Sequence, residues 1–325
     1  MLHSQIIGEG TPFIILHGFL GMSDNWRTLG LKYAEAGFQV HLVDQRNHGR
    51  SFHSPDFSYP LMAQDLLVYA DAHGLKVFHL MGHSMGGKTA MLFATEHPDR
   101  VLSLIVADMS PKYFPEHHGA CLQGLASLNF DVIHSRAEAD KALSAYVSDI
   151  GVRQFLLKNL YWETKDRLGL RLNLPALIEN ESEIGAELPD SNVFEGKTLF
   201  LKGEYSEYVM PEDEALIRTH FPHAIIDTVS KAGHWLHAQN PTEFYNKTIH
   251  FISLFISATL VFVLGYLNMG AHIENFFTAL VVAFVLSLLN GIVRPILEFI
   301  AFPITFMTFG LFLFIINTVI VLLAS

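Results

Sequence analysis

Cysteine is nearly absent: Cys121 is the only one in 325 residues. That excludes a disulfide framework, and with it any zinc or iron–sulfur centre built on several thiolates. Charge is scarce too, at 16% of residues against about a quarter in ordinary soluble domains. The basic sign is the rarer one, with 21 Lys and Arg against 32 Asp and Glu. A net charge of −11 argues against nucleic acid as a partner, because phosphates call for a basic surface. A secretory leader is not expected either. Residues 1–10 hold no basic stretch followed by an apolar one, so the first 250 residues are expected to stay on the side of synthesis.

What the chain has in excess is hydrophobic residues, half of the total, and they are concentrated at one end. From residue 251 to 325 the only Asp, Glu, Lys or Arg side chains are Glu274, Arg294 and Glu298. Apolar runs at 249–267, 275–293 and 296–325 each meet the length of about 18 residues that marks a membrane-span candidate. Pro303 and Gly310 interrupt the third, which reads either as one tilted helix or as a short re-entrant half followed by a span. The expectation is an acidic globular domain over residues 1–250, followed by an all-α transmembrane tail over residues 251–325 with two to four helices in a lipid bilayer. Lys247 before the first run and Arg294 after the second place the globular domain on the cytoplasmic side of the inner membrane.

In the globular part, strand-like and helix-like runs alternate. Short apolar runs at 12–17, 38–44, 77–81, 101–107, 198–202 and 224–229 read as buried strands. Helical patterns at 26–36, 61–72, 87–96, 212–220 and 241–251 separate them. This alternation predicts an α/β fold, a mostly parallel sheet with helices on both faces. Residues 111–189 break the rhythm with helical spacing at 137–150, 152–162 and 175–185. Such an insertion is expected to form a helical cap over the carboxyl ends of the strands, where open α/β sheets bind ligands.

Gly82-His83-Ser84-Met85-Gly86 follows a predicted strand and opens a predicted helix. A G-x-S-x-G sequence in that setting points to a nucleophilic serine on a strained turn, beside the free N–H groups of a helix start. A serine needs a base. His234, in the loop after the last predicted strand, is the leading choice among 18 histidines. Two places can supply the acid. Asp108 stands at the end of the 101–107 strand and gives the chain order Ser84, Asp108, His234; its ordinary reading is a turn cap before Ser110-Pro111. Glu204 and Glu207, in the loop after the 198–202 strand, are the alternatives, and there Ser206 stands where many hydrolases carry an aspartate. Two backbone donors must face the developing oxyanion. Met85 N–H follows the nucleophile, and Phe19 N–H lies in His17-Gly18-Phe19-Leu20-Gly21, where the side chain also reads as a core aromatic.

Those segments, together with residues 44–51 (DQRNHGRS) and the run 232–237 (AGHWLH), resemble the α/β-hydrolase superfamily and, within it, the YbfF-type small esterases. The cap segment 153–160 is similar to that branch, and the resemblance covers roughly residues 2–250. It implies hydrolysis of carboxylic esters or acyl thioesters of short to medium chain, acyl-CoA among them. It carries the triad onto Ser84, Asp108 and His234, and the oxyanion hole onto Phe19 and Met85. The tail segments 290–297, 302–305 and 308–312 resemble the phage-holin-family (YvlD-like) membrane proteins.

The expectation is therefore a membrane-tethered serine hydrolase without cofactor or metal. Glu116-His117-His118 and the His48/His53 pair lack metal-ligand spacing on a predicted element and read as loop residues. Perhydrolase or C–C-bond hydrolase chemistry remains open on the same residues. A holin-like membrane protein with an incidental hydrolase domain is the non-enzymatic alternative, and dye leakage caused by the tail alone would favour it.

Overall fold

The computed structural model describes residues 1–266 and a few positions beyond them: 278, 281–282, 284–285, 316–318 and 320–321. The chain divides into two units, Met1–Tyr245 and Asn246–Ser325, and the fold below is that of the first.

In chain order the elements are β1 (Ser4–Ile7), β2 (Thr11–Leu16), α1 (Arg27–Glu35), β3 (Phe38–Val43), α2 (Tyr59–Ala72), β4 (Phe78–His83), α3 (Met85–Glu96) and β5 (Val101–Ala107). The cap follows, with α4 (Gly119–Ala126), α5 (Arg136–Leu143), α6 (Ile150–Leu157), β6 (Leu160–Trp162), β7 (Leu168–Leu170), α7 (Leu174–Glu179) and α8 (Glu181–Ile184). Then come β8 (Thr198–Gly203), α9 (Glu214–His220), β9 (Ile225–Val229), α10 (Leu236–Gln239) and α11 (Pro241–Tyr266).

The main sheet runs β1-β3-β2-β4-β5-β8-β9. Only β1 is antiparallel to its neighbour, and every other pairing is parallel. The central strands are apolar and fully covered: Phe13, Ile14, Leu80, Leu104 and Phe200 have no exposure. That is why they read as unbroken hydrophobic runs rather than alternating ones. Helix α3 packs across β4 and β5, and α1 packs on β3.

The expected strands and framework helices are all present, with ends within two residues of expectation except at the 241–251 helix. The cap differs more. The helix expected at 137–150 stops at Leu143, and a new one starts at Ile150. Asp149 caps α6 through Val152 N–H at 2.8 Å, and the Arg153 guanidinium donates to the carbonyls of Val147 (3.0 Å) and Ser148 (2.9 Å), which satisfies the backbone of the break. The helix expected at 152–162 ends at Leu157. Residues 160–162 form a hairpin with 168–170, because the aromatic Tyr161 and Trp162 suit a strand and the 163–167 turn closes on itself through Glu163 N–H to Arg167 O. The pattern at 175–185 resolves into two short helices, α7 and α8.

Buried Lys88, one turn along α3 from Ser84, ties the cap to the core. Its ammonium donates to the carbonyls of Lys112 (2.6 Å) and Ala186, on the outgoing and returning connections of the cap.

The helix expected at 241–251 runs on to Tyr266. Among the described residues, no helix is long and apolar enough to cross a membrane. The runs expected as spans at 275–293 and 296–325 lie almost wholly outside the described residues, as do the side chains of 249–267 beyond Ser253.

Candidate active site

The carboxyl ends of the parallel strands converge on one crevice. Strand β4 delivers Ser84 on a turn with φ +53° and ψ −120°, a backbone region that an L-residue adopts at a cost. The surroundings impose it. A Cβ on Gly82 would meet Gly86 O at 2.0 Å, and one on Gly86 would meet the carbonyls of Leu16 and His17 at 2.6 Å. The two glycines flanking the serine are therefore steric necessities of the turn. Ser84 N–H still donates to Ala107 O at 3.0 Å, so the strained residue stays pinned to β5.

The structure brings the histidine and the aspartate expected as base and acid next to Ser84. Ser84 Oγ lies 3.0 Å from His234 Nε2, and His234 Nδ1 lies 2.8 Å from Asp108 Oδ2. Asp108 extends β5 and is fully buried, also with positive φ (+52°). Its Oδ1 accepts the Gly203 N–H at 2.9 Å, and its Oδ2 also accepts the Ser206 hydroxyl. Ser206, which stands after β8 where many hydrolases carry an aspartate, thus serves Asp108 from there. Glu204 and Glu207 are exposed, and neither meets His234 among the described residues. The Glu204 carboxylate instead accepts Lys231 N–H at 2.6 Å.

The loop after β2 carries Phe19, whose side chain is buried with its ring edge against His48 (5.8 Å between centroids). Both readings of the residue, core aromatic and loop donor, fit this placement. Met85 opens α3 and is fully buried. As the first residue of a helix its N–H has no intrahelical acceptor.

The segment after β3 holds the Phe19 loop. His48 Nδ1–H donates to Arg46 O (2.8 Å), which leaves Nε2 to accept Leu20 N–H (3.2 Å). His17 works the same way: Nδ1–H donates to Gly18 O (2.8 Å) and Nε2 accepts Gln45 N–H (3.0 Å). Asp44 accepts Ser23 N–H (2.6 Å) and Arg50 N–H (2.9 Å). Each role requires a neutral imidazole, and burial supplies it. Burial pushes His17 below its ordinary range, and burial with the neighbouring His17 pushes His48 down to about 3. Behind the serine, His83 Nε2–H donates to His234 O (2.8 Å), and burial holds that ring neutral too.

Two residues at the site have no role that the sequence assigns. Tyr208 stacks on His234. Asn159, from the cap, donates its side-chain amide to Leu20 O at 2.8 Å and to Leu156 O at 3.2 Å. Among the described residues no group of three or more His, Cys, Asp or Glu is placed to hold a metal ion. A nucleophile, an oriented base, a buried acid and a donor-bearing loop are the parts that acyl transfer needs.

Comparison with known proteins agrees with this architecture. The family described as alpha/beta hydrolase fold matches residues 11–128, and the family described as Mycobacterial 4 TMS phage holin, superfamily IV, matches residues 249–325. The sn-1-specific diacylglycerol lipase ABHD11 of Mus musculus is 42% identical over 260 residues, covering 77% of this chain and 84% of that protein. Esterase YbfF of Escherichia coli is 30% identical over 239 residues, covering 72% of this chain and 89% of that protein. A solved structure titled marine microorganism esterase superposes with a TM-score of 0.74 at 39% identity, covering 77% of this chain and 98% of that one. The chain therefore belongs to the α/β-hydrolase family, as an enzyme of the esterase type.

Proposed function

We propose that this protein is a serine hydrolase that cleaves carboxylic esters or acyl thioesters through an acyl-enzyme and is held at a membrane by its C-terminal segment. The observation that carries the chemistry is the continuous relay from Ser84 Oγ through His234 to Asp108, with gaps of 3.0 and 2.8 Å. His234 Nε2 takes the hydroxyl proton as Ser84 Oγ bonds to the acyl carbonyl carbon. The Met85 and Phe19 N–H groups hold the resulting oxyanion, each worth about 3–4 kcal/mol in comparable sites. Collapse breaks the bond to the leaving oxygen or sulfur, which receives the proton from His234. Water, deprotonated by the same nitrogen, then attacks the acyl-enzyme and releases the carboxylic acid and Ser84. Asp108 keeps Nδ1 protonated and stabilises the imidazolium that forms in each step.

Relatives named esterase and diacylglycerol lipase support ester bonds as the substrate class. Membrane attachment is supported by the three apolar runs of the tail and by the holin-family match over 249–325. Replacement of Ser84 by Ala is expected to abolish hydrolysis of p-nitrophenyl short-acyl esters, and retained turnover overturns the mechanism. The full chain is expected in the membrane fraction after alkaline carbonate washing, and its release into the wash overturns the tether.

A further inference from the structure

Three histidine rings line the crevice at Ser84: His83, His118 and His234. Two of them are engaged. His83 Nε2–H donates to His234 O, and His234 bridges Ser84 and Asp108. His118 differs. Among the described residues its ring nitrogens have no hydrogen-bond partner, although the ring stands in the same wall as the nucleophile.

The fold fixes where that ring stands. His118 directly precedes α4, and its backbone is held from two sides. Its N–H donates to the Glu181 carboxylate of α8 at 3.1 Å, and its carbonyl accepts Leu122 N–H at 3.0 Å. The ring packs against Phe19 (4.9 Å between centroids) and against His117 (4.0 Å). His117 in turn meets the Tyr208 hydroxyl, and Tyr208 stacks on His234. The cap thereby places one imidazole in a wall shared with the Phe19 loop, the nucleophile and the base.

Burial, with smaller contributions from His117 and His234, pushes this ring down to about 3. At neutral pH it therefore carries one N–H donor and one acceptor nitrogen. Polar ring atoms in a wall that includes Leu20, Val152 and Phe155 call for a partner. A carboxylate offers acceptors alone and an ammonium donors alone, and either charge is costly to bring into such a wall. A hydroxyl donates and accepts, so it suits the neutral ring in either tautomer.

We propose that His118 is a specificity-determining residue that hydrogen-bonds a hydroxyl carried next to the scissile ester group, so that the enzyme favours hydroxylated esters over their methyl isosteres. The proposal rests on the serine-hydrolase reading above and adds a substrate feature to it. The hydroxyl can belong to the alcohol or to the acid, and the two arms of the test tell them apart.

One arm compares 2-hydroxyethyl butyrate with propyl butyrate, and the other compares methyl lactate with methyl isobutyrate. In each pair a hydroxyl replaces a methyl group of similar size. The readout is the ratio of kcat/KM within a pair, measured by pH-stat on wild type, His118→Phe and His118→Leu, with folding checked by circular dichroism. A ratio within one protein cancels the intrinsic reactivity of the esters and any loss of folded enzyme. His118→Phe keeps a ring against Phe19 and His117 but offers no hydrogen bond, and His118→Leu serves if that chain does not fold. In at least one arm the ratio should fall about tenfold from wild type to the variant, the effect of one lost hydrogen bond.

A ratio that is unchanged in both arms overturns the proposal, as does a fall in kcat/KM that is equal for both members of each pair. Both outcomes leave the esterase reading standing. Absence of wild-type turnover on all four esters, or turnover that survives Ser84→Ala, strikes the esterase reading instead.

Discussion

The ring of Tyr208 lies flat on the imidazole of His234, with centroids 3.8 Å apart and planes 15° from parallel. Its backbone N–H reaches Ser206 Oγ (3.3 Å), and its hydroxyl meets His117 Nε2, so the ring is held at both ends. Burial and the nearby Asp108 charge push the phenol up to about 12, which keeps it neutral while His234 takes and gives protons. An aromatic face attracts an imidazolium more than an imidazole, so the stack favours the charged form that appears in the transition state. Tyr208→Phe keeps the ring and should leave kcat within about twofold of wild type. Tyr208→Ala removes a stack worth about 1 kcal/mol and should lower kcat about fivefold with little change in KM. Steady-state kinetics on p-nitrophenyl acetate separates the two, and equal rates for both variants would remove Tyr208 from the positioning of His234.

The acid assignment is open to direct trial. Asp108→Asn keeps the shape but presents an amide to His234 Nδ1, which favours the wrong tautomer. In sites of this geometry that change costs about 10⁴ in kcat. Glu204→Gln retains an oxygen for Lys231 N–H, and Glu207 is exposed, so both glutamine variants should stay near wild-type activity. An Asp108→Asn protein with near-wild-type kcat, or a Glu204→Gln protein without activity, would reassign the acid.

Much of this site was legible because local constraints determine it. Ser84 is marked by two glycines that the turn cannot replace, and Asp108 by its place at the end of a buried strand. The three-residue strand at 160–162 was not legible: its apolar spacing fits a helix as well as a hairpin, and the partner 168–170 decides between them. The roles of Tyr208 and Asn159 were not legible for another reason. The residues they serve lie 26 and 139 positions away, and no local pattern records which side chain a cap or a loop brings to a distant ring or carbonyl. In the sequence Ser206 is only a departure from aspartate, and the fold turns that departure into a donor for Asp108.

The Asn159 contact predicts a split between rate and binding. Without the amide, Leu20 O loses a buried donor and the loop that carries Phe19 N–H loosens. Asn159→Ala should therefore lower kcat by about tenfold, within the cost of a misplaced oxyanion donor, and stability by about 1–2 kcal/mol. KM should change little, since the apolar walls remain. Asn159→Asp, which keeps an acceptor but offers no donor to the carbonyl, should not rescue the rate. A rise in KM at constant kcat would mean that Asn159 shapes the pocket rather than the oxyanion loop.

Acid should unfold this domain at a mild pH. Burial, with smaller contributions from neighbouring charges, holds His48 and His237 down to about 3, and pushes His17 and His83 below their ordinary range. In the unfolded chain the same imidazoles titrate near about 6.5. Between those values the unfolded state binds more protons, so stability is complete above about pH 6.5 and is lost as the pH falls toward the folded values. At pH 5 each such histidine withdraws up to about 2 kcal/mol. Two of them approach the low end of the roughly 5–15 kcal/mol that a domain possesses. The urea midpoint should therefore drop steeply between about pH 7 and pH 5, with proton uptake on unfolding that exceeds one per chain. His48→Gln should make the dependence shallower, since the glutamine does not titrate. A midpoint that stays constant over this range would show that these rings titrate in the folded protein as they do in the unfolded chain, contrary to the acceptor role of His48 Nε2 toward Leu20 N–H.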